Sequence, residues 1–578
     1  MLLKGVPASR GIIIGPAVVL GSSELGVKRG KISSQSVEAE IARLHEAVAR
    51  TREQLHDLKR KVATEIGQKQ SEIFTAHILF LEDPSFVVET NEAIRRERVN
   101  AEWAVWQFVE RYAKLLNEVN DSHLGAREGD IRDVGRRLVQ NLRGGMLTMV
   151  GSLDKRSVLV AVDLAPSETA QLDLSKVSGF ATDVGGPTSH TAIIARTLEL
   201  PAVVGLEHAT QHVKTGDTII LDGTGGILIA NPDKETLAHY RARQKDEAQL
   251  ELALKRLRRL PAITKDGYKL HMAGNIDLPE DARIVMERGA EGVGLFRTEF
   301  LFLNRHNLPT EEEQFQAYRL ALKSCEPHGV IVRTLDLGGD KFLAHLGLNP
   351  EMNPFLGLRA IRLCLAHPYV FKVQLRAILR ASHFGKLQIM YPLISGVEEL
   401  RQANQMLEEV KKDLAKRGIP FNPDIDVGAM IEVPSAALTA DILAKEVRFF
   451  SIGTNDLIQY TMAVDRGNER IAYLYDPLHP AILRTVKYVV DEAHKQQVKV
   501  SVCGEMGGDP LFSLVLMGLG VDGLSMSASS ISLVKRSIRA ATFKEAEALA
   551  HQALKLSTAK EIRDFLSESE LGRVLEAP

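Results

Sequence analysis

Cysteine is scarce in this chain: Cys325, Cys364 and Cys503 are the only three in 578 residues. They lie far apart and are odd in number, which excludes a disulfide framework and any zinc-type pairing. A reducing compartment follows. The N-terminus also lacks a secretory pattern, since the apolar run from Gly11 to Leu20 is broken by Gly15 and Pro16. The expectation is a cytoplasmic protein. No stretch approaches the roughly 18 apolar residues of a membrane span, so no membrane insertion is expected. A surplus of either charge is missing too. With 72 basic against 74 acidic side chains, a dedicated nucleic-acid surface is not expected. Also absent is a glycine-rich phosphate loop ending in Lys-Ser/Thr, which argues against a nucleotide-binding module. What remains is 45% hydrophobic and 25% charged, ordinary for globular protein. The chain is too long for one core, so two to four domains are expected.

Among what is present, the stretch Gly185-Gly186-Pro187-Thr188-Ser189-His190-Thr191-Ala192-Ile193-Ile194-Ala195-Arg196 organises the rest. The glycines permit a sharp turn. Thr188 and Ser189 are helix-capping types, and a helix is expected from Thr191 towards Pro201. His190 therefore falls at a helix start, where unpaired N–H groups and the helix dipole favour an anion and disfavour imidazolium. A neutral imidazole in such a setting suits a phosphoryl-accepting nucleophile. A lone histidine after a glycine turn is also a common cap or surface residue, so its company elsewhere in the chain must decide.

The remaining pattern has four parts. Residues 1–20 and 144–230 read as one α/β unit, with strands at Ser157–Val162, Gly179–Asp183, Thr218–Asp222 and Gly226–Ile229. Residues 21–143 interrupt it as a helical insertion. There Val37, Ile41, Leu44, Val48, Leu55, Leu58 and Val62 mark one face of a long amphipathic helix. Further helices follow near 70–82, 85–96, 101–119 and 131–142, an antiparallel bundle. Residues 231–260 read as a charged linker helix. Its run Lys255-Arg256-Leu257-Arg258-Arg259 reads as a solvated face or as a contact for an acidic partner. From 261 to 578 the pattern is strand, loop, helix, repeated. The strands fall at Lys269–Gly274, Gly292–Phe296, Val330–Leu335, Leu387–Tyr391, Asp426–Ile431, Arg448–Ile452, Lys499–Cys503 and Gly523–Met526. A (β/α)₈ barrel takes roughly 250 residues, more with insertions. An open parallel sheet is the alternative.

Polar residues gather just past the ends of these strands. Arg297, Arg333, Asp336, Lys341, Arg359, Glu432, Asn455, Asp456, Arg466 and Cys503 all do so. In a barrel those ends share one mouth, where active sites are found. Arginines suit a small, multiply charged anion. Glu432 and Asp456 suit a hard cation such as Mg²⁺. Taken one at a time, each arginine also reads as a surface ion pair, and Cys503 as a buried structural thiol.

The His190 string resembles the phosphohistidine motif shared by enzyme I of the bacterial phosphotransferase system, pyruvate phosphate dikinase and phosphoenolpyruvate synthase. Many enzyme I sequences carry Arg where this chain has Pro187. Gly292-Val293-Gly294-Leu295-Phe296-Arg297-Thr298-Glu299-Phe300, Arg333-Thr334-Leu335-Asp336, Asn353-Pro354-Phe355-Leu356-Gly357-Leu358-Arg359 and Ser451-Ile452-Gly453-Thr454-Asn455-Asp456-Leu457 look like the phosphoenolpyruvate-binding barrel of the enzyme I family. Val502-Cys503-Gly504-Glu505 looks like its proton-donor segment. The likeness spans essentially the whole chain. It implies a multidomain α/β protein: a phosphohistidine α/β domain with an inserted helical bundle, and a C-terminal (β/α)₈ barrel. It implies phosphoryl transfer from phosphoenolpyruvate to His190, with pyruvate released, and then to a histidine of the carrier HPr, as the first step of sugar uptake. By the same resemblance Arg297, Arg333, Asn455, Asp456 and Arg466 hold phosphoenolpyruvate, and Glu432 and Asp456 hold Mg²⁺. Cys503 protonates the enol, and Thr169 orients the His190 ring. The bundle docks HPr, through the second helix with His77, Ile78 and Leu81 near an exposed end, and a homodimer forms through the barrel. A nitrogen-type regulatory phosphotransferase stays open as an alternative, as does a dikinase- or synthase-like relative.

Overall fold

In a computed structural model, residues 1–20, 27–65, 68–118, 122–144, 156–164, 176–186, 189–198, 200–303, 307–338, 351–466, 468 and 470–576 are described. The chain divides into two units, Met1–Gln249 and Leu250–Pro578. Thr169, Pro187, Thr188 and Lys341 lie outside the described residues, and so does the side chain of His190.

Short runs of Val, Ile and Ala between glycines build the sheet of the first unit. Its strands are β1 (Leu2–Lys4), β2 (Val6–Ser9), β3 (Ile12–Val19), β4 (Ser157–Ala161), β5 (Val177–Thr182), β6 (Ala202–Val204), β7 (Thr218–Asp222) and β8 (Ile227–Ala230). They lie in the order β1-β8-β7-β3-β4-β5-β6-β2. The centre, β3 through β6, is parallel, and antiparallel pairs close both flanks. Pro7 sits in β2, an edge strand, where a missing donor costs no ladder bond. Alternate residues of β4 enter two different cores: Leu159 and Ala161 pack with Phe180, Ala192 and Ala195, while Val158 and Val160 pack with Ala181 and Leu221. The sheet is therefore buried on both faces, as its uninterrupted apolar strands require.

Between β3 and β4 the described residues form the α-helices α1 (Val37–Glu65), α2 (Gln68–Glu82), α3 (Pro84–Glu97), α4 (Ala101–Glu118) and α5 (Ser122–Leu142). Asp83-Pro84 ends α2 and starts α3, because the Asp83 carboxylate accepts from Ser85 N while Pro84 occupies a position with no intrahelical donor to lose. Ile41, Leu44, Leu55, Leu58 and Val62 of α1 are buried in the bundle core with Phe74, Phe86 and Phe108. One expectation is corrected here. His77, Ile78 and Leu81 are not near an exposed end; they are buried, at 2%, 7% and 2% exposure. Helix α2 is apolar on most of its circumference and packs against both α1 and α5, so its inner face could not be read from spacing. Leu79, 62% exposed, is the residue of this turn that faces solvent.

Helix α6 (His190–Thr197) follows the glycine turn, and α7 (Lys234–Leu257) leaves the first unit. Near its start α7 is held by Arg243 to Asp222 at 2.9 Å and by Gln244 to the Ile12 carbonyl at 2.9 Å.

In the second unit β9 (His271–Ile276), β10 (Gly292–Arg297), β11 (Gly329–Arg333), β12 (Leu387–Tyr391), β13 (Val427–Ile431), β14 (Phe449–Ile452), β15 (Lys499–Val502) and β16 (Gly523–Met526) close into a barrel in sequence order. Every neighbouring pair is parallel, including β16 with β9. Closure removes the open-sheet alternative. One continuous apolar layer lies between the strands and the surrounding helices, and because every strand runs the same way all the carboxyl ends open on one side.

Candidate active site

Arg333 is the hub of the barrel mouth. It ends β11, is buried, and reaches Glu299 Oε1 at 2.5 Å and Asp336 Oδ2 at 2.8 Å. Its Nη1 also lies 3.8 Å from Met430 Sδ. Behind it, Thr298 Oγ1 donates to the Arg333 carbonyl at 2.8 Å, and Gln374 bridges Thr298 Oγ1 to Leu335 N. These buried contacts fix the end of β11. Asp336 in turn accepts from Arg359 Nη2 at 2.8 Å, and the same nitrogen lies 3.6 Å from Asp456 Oδ2. Arg359 also donates to Tyr460 OH, and Tyr460 OH donates to the Phe355 carbonyl at 2.6 Å. The string from Asn353 to Arg359 is thus tied to α8 (Thr454–Met462).

Glu432 is 2% exposed. Oxygens of Asp336, Glu432 and Asp456 all lie within 4.8 Å of one another. Burial, then the charges of Asp456 and Asp336, push the Glu432 carboxyl up to about 8, against the pull of Arg333. Two backbone features make room for it. A side chain at Gly453 would sit 2.7 Å from Glu432 Oε2. Leu393, held at φ 53, donates its N–H to Glu432 Oε1 at 2.6 Å. A left-handed leucine costs roughly 1–3 kcal/mol and persists where its surroundings enforce it. Three converging carboxylates in a buried pocket fit a hard divalent cation. Both oxygens of Asp336 are engaged by arginines, which leaves Glu432 and Asp456 as the freer ligands.

The other expected residues stand around this centre. Arg297 ends β10 and pairs with Asp277 at 2.8 Å. Asn455 exchanges hydrogen bonds with Glu505, its Nδ2 donating at 3.3 Å and its Oδ1 accepting from the Glu505 N–H at 3.0 Å. Arg466 is exposed; its field helps hold Asp336 low, and it bonds the Tyr475 hydroxyl. Cys503 directly follows β15 and is 4% exposed. Burial pushes its thiol up to about 11, so it keeps its proton at neutral pH. Asn275, the penultimate residue of β9, donates to the Cys503 carbonyl at 2.9 Å and accepts from Ser525 Oγ at 2.5 Å.

Glu299, Asp277, Asn275 and Tyr460 were missed as site residues. Glu299 stood in the motif already quoted, two residues beyond a strand end, and that position was the signal. Asn275 lies one residue past Gly274, where the strand is expected to end, so its position carried the same signal.

In the first unit, Gly185 adopts φ 116 and Ser189 caps α6, its hydroxyl accepting from Ala192 N at 3.4 Å. His190 is the first residue of that helix, as the capping pattern predicted. Arg196, on the last turn, is exposed.

Family models match in three segments: PEP-utilising enzyme, N-terminal, over residues 4–127; PEP-utilising enzyme, mobile domain, over residues 153–226; and PEP-utilising enzyme, PEP-binding domain, over residues 252–543. The phosphoenolpyruvate-protein phosphotransferase of Bacillus subtilis (strain 168) is 45% identical, covering 98% of this chain and 99% of its own. That of Haemophilus influenzae (strain ATCC 51907 / DSM 11121 / KW20 / Rd) is 44% identical over 99% of this chain and 100% of its own. That of Staphylococcus carnosus (strain TM300) is 43% identical over 98% of each.

Proposed function

The chain belongs to the phosphoenolpyruvate–protein phosphotransferase family of PEP-utilising enzymes, and from that premise we propose how its own residues divide the reaction. It transfers a phosphoryl group from phosphoenolpyruvate within the phosphotransferase system. Arg297, Arg333 and Arg466, with Asn455, bind the carboxylate and phosphate of the substrate. The observation that carries this reading is the convergence of Arg333, Arg359, Asp336, Glu432 and Asp456 at one mouth. Glu432 and Asp456 hold Mg²⁺, which when bound offsets negative charge on the transferring group.

His190 accepts the phosphoryl group through a ring nitrogen as the bond to the enol oxygen breaks. Enolpyruvate remains, and the Cys503 thiol delivers a proton to its methylene carbon to give pyruvate. The thiol then recovers its proton from water. A thiol kept protonated by burial is the correct form for this step. Phospho-His190 next passes its group to a histidine of HPr, docked on the bundle on the side that presents Leu79. Thr169 orients the His190 ring, and two chains associate through their barrels. Residues 1–20 and 144–230 act as the phosphohistidine domain and residues 231–260 as the joint. A joint suits a nucleophile that must visit two partners. Among the described residues no helix is long and apolar enough to cross a membrane.

The metal assignment is tested by Glu432→Gln. Magnesium-dependent labelling of the protein by phosphoenolpyruvate should fall about 100-fold or more, while Arg333 stays paired to Glu299 and Asp336. In the wild type, Mg²⁺ competes with the proton on Glu432. Magnesium affinity should therefore rise with pH up to about 8 and level off above it. Stability without metal runs the opposite way. A carboxyl raised in the fold favours folding at low pH, and that contribution is lost as pH climbs from the ordinary carboxylate range through about 8. Unaltered magnesium dependence in the variant would make Glu432 structural. For Cys503→Ser, pyruvate formation should slow by about 10² to 10⁴, the usual range for a lost general acid, with phosphoenolpyruvate binding retained. Unchanged turnover would mark Cys503 as packing.

A further inference from the structure

The barrel interior is layered. Arg297, Arg333, Glu432 and Cys503 occupy the mouth at the strand ends. Beneath them Leu295, Met390, Met430 and Phe449 form an apolar plug that includes Cys503 on its upper side. At the opposite end, where the strands begin, lies a cavity of about 440 Å³. Ala273, Gly292, Gly294 and Gly329 line it, and a side chain at any of these glycines would come within 3 Å of Gly329 O, Ser525 Oγ or Lys386 O. Gln388, Ser501 and Ser525 make its wall polar. None of these residues belongs to the phosphotransfer machinery assigned above.

Charges of both signs surround this cavity on successive strands. Glu291 precedes β10, His328 precedes β11, Lys386 precedes β12, and Asp424 and Asp426 precede β13. Several are already satisfied: Glu291 pairs with Lys269 at 3.5 Å, and Asp426 accepts from Gln388 Nε2 at 3.1 Å. Lys386 and Asp424 are exposed, and among the described residues neither side chain has a hydrogen-bond or ion-pair partner. A free cation and a free anion therefore stand on adjacent strands at the rim of one polar cavity. Its volume falls within the ~300–1,000 Å³ usual for small-molecule sites.

We propose that this floor cavity is a second small-molecule site, walled off from the mouth, and that it takes a free α-amino acid, carboxylate on Lys386 and ammonium on Asp424. A ligand with negative charge alone would leave Asp424 unpaired. One with positive charge alone would leave Lys386 unpaired. A small zwitterion satisfies both and leaves its side chain for the space beside Ile331 and Leu524.

The test uses the full chain without phosphoenolpyruvate and saturation-transfer NMR. The probes are the proteinogenic L-amino acids, with succinate and ethylamine as single-sign controls. At least one amino acid should bind saturably and more tightly than either control. Lys386→Met and Asp424→Asn, both at exposed positions where folding is not at risk, should each weaken that binding about tenfold or more, the loss of one charge-assisted contact. Both variants should keep normal turnover of phosphoenolpyruvate. The proposal is overturned if no amino acid binds saturably, if succinate or ethylamine binds more tightly, or if neither variant alters binding.

Discussion

With His190 replaced by alanine, phosphoenolpyruvate should leave no label on the protein. No other residue has been assigned to carry the phosphoryl group, so the loss should reach background and not a fraction of the wild-type level. The fold should survive the change. Helix α6 keeps its cap, because Ser189 Oγ still accepts from Ala192 N, and alanine is the most favourable helix residue. Ala192 and Ala195, which anchor the helix in the core beneath the sheet, are untouched. Binding of phosphoenolpyruvate should persist, since every residue assigned to it lies in the other unit. Labelling combined with calorimetric titration of phosphoenolpyruvate separates the two effects. Undiminished labelling of the variant would remove His190 from the mechanism.

Arg333→Met should produce the largest combined loss of activity and stability. In the native site this guanidinium faces Glu299 and Asp336 and is pulled on by Glu432. Its removal leaves buried carboxylates without their main counter-charge. Breaking a buried pair from one side typically costs about 3–5 kcal/mol. Denaturant unfolding should show the barrel unit destabilised by that order, with labelling reduced about 100-fold or more, the scale of losing one preorganised donor. Arg297→Met supplies the control. Arg297 is more exposed and pairs with Asp277, so the same loss of labelling should come with little loss of stability. If Arg333→Met were as stable as the wild type, the buried network would be misjudged. If it labelled normally, the substrate assignment would fail.

Much of this architecture was legible because its signals are local. Four of the barrel strands are short apolar runs stopped by a functional side chain, and Arg297, Arg333, Glu432 and Cys503 are those stops. Reading them as one mouth required only that the strands close. What spacing could not supply was partner choice. Asp336 was visible past β11, yet nothing local says that it is shared by Arg333 and Arg359 beside Glu432. Glu299 pairs with a residue on the next strand, a contact set by barrel closure. In the bundle, His77 was misplaced for a related reason. Helix α2 has apolar residues around most of its surface, and burial was decided by α1 and α5, which enclose the ring beside Phe74 with Asp130 Oδ1 at 3.9 Å. The floor cavity left the faintest trace, because its lining comes from the first residues of several strands, which only the closed barrel brings together.

The most direct measurement is to incubate the full chain with phosphate-labelled phosphoenolpyruvate and Mg²⁺, then locate the label by peptide mapping under alkaline conditions and follow pyruvate release. The expected result is acid-labile label on His190 alone, with pyruvate formed in equal amount. Acid-stable label, label on another residue, or pyruvate released without labelled protein would contradict transfer through His190.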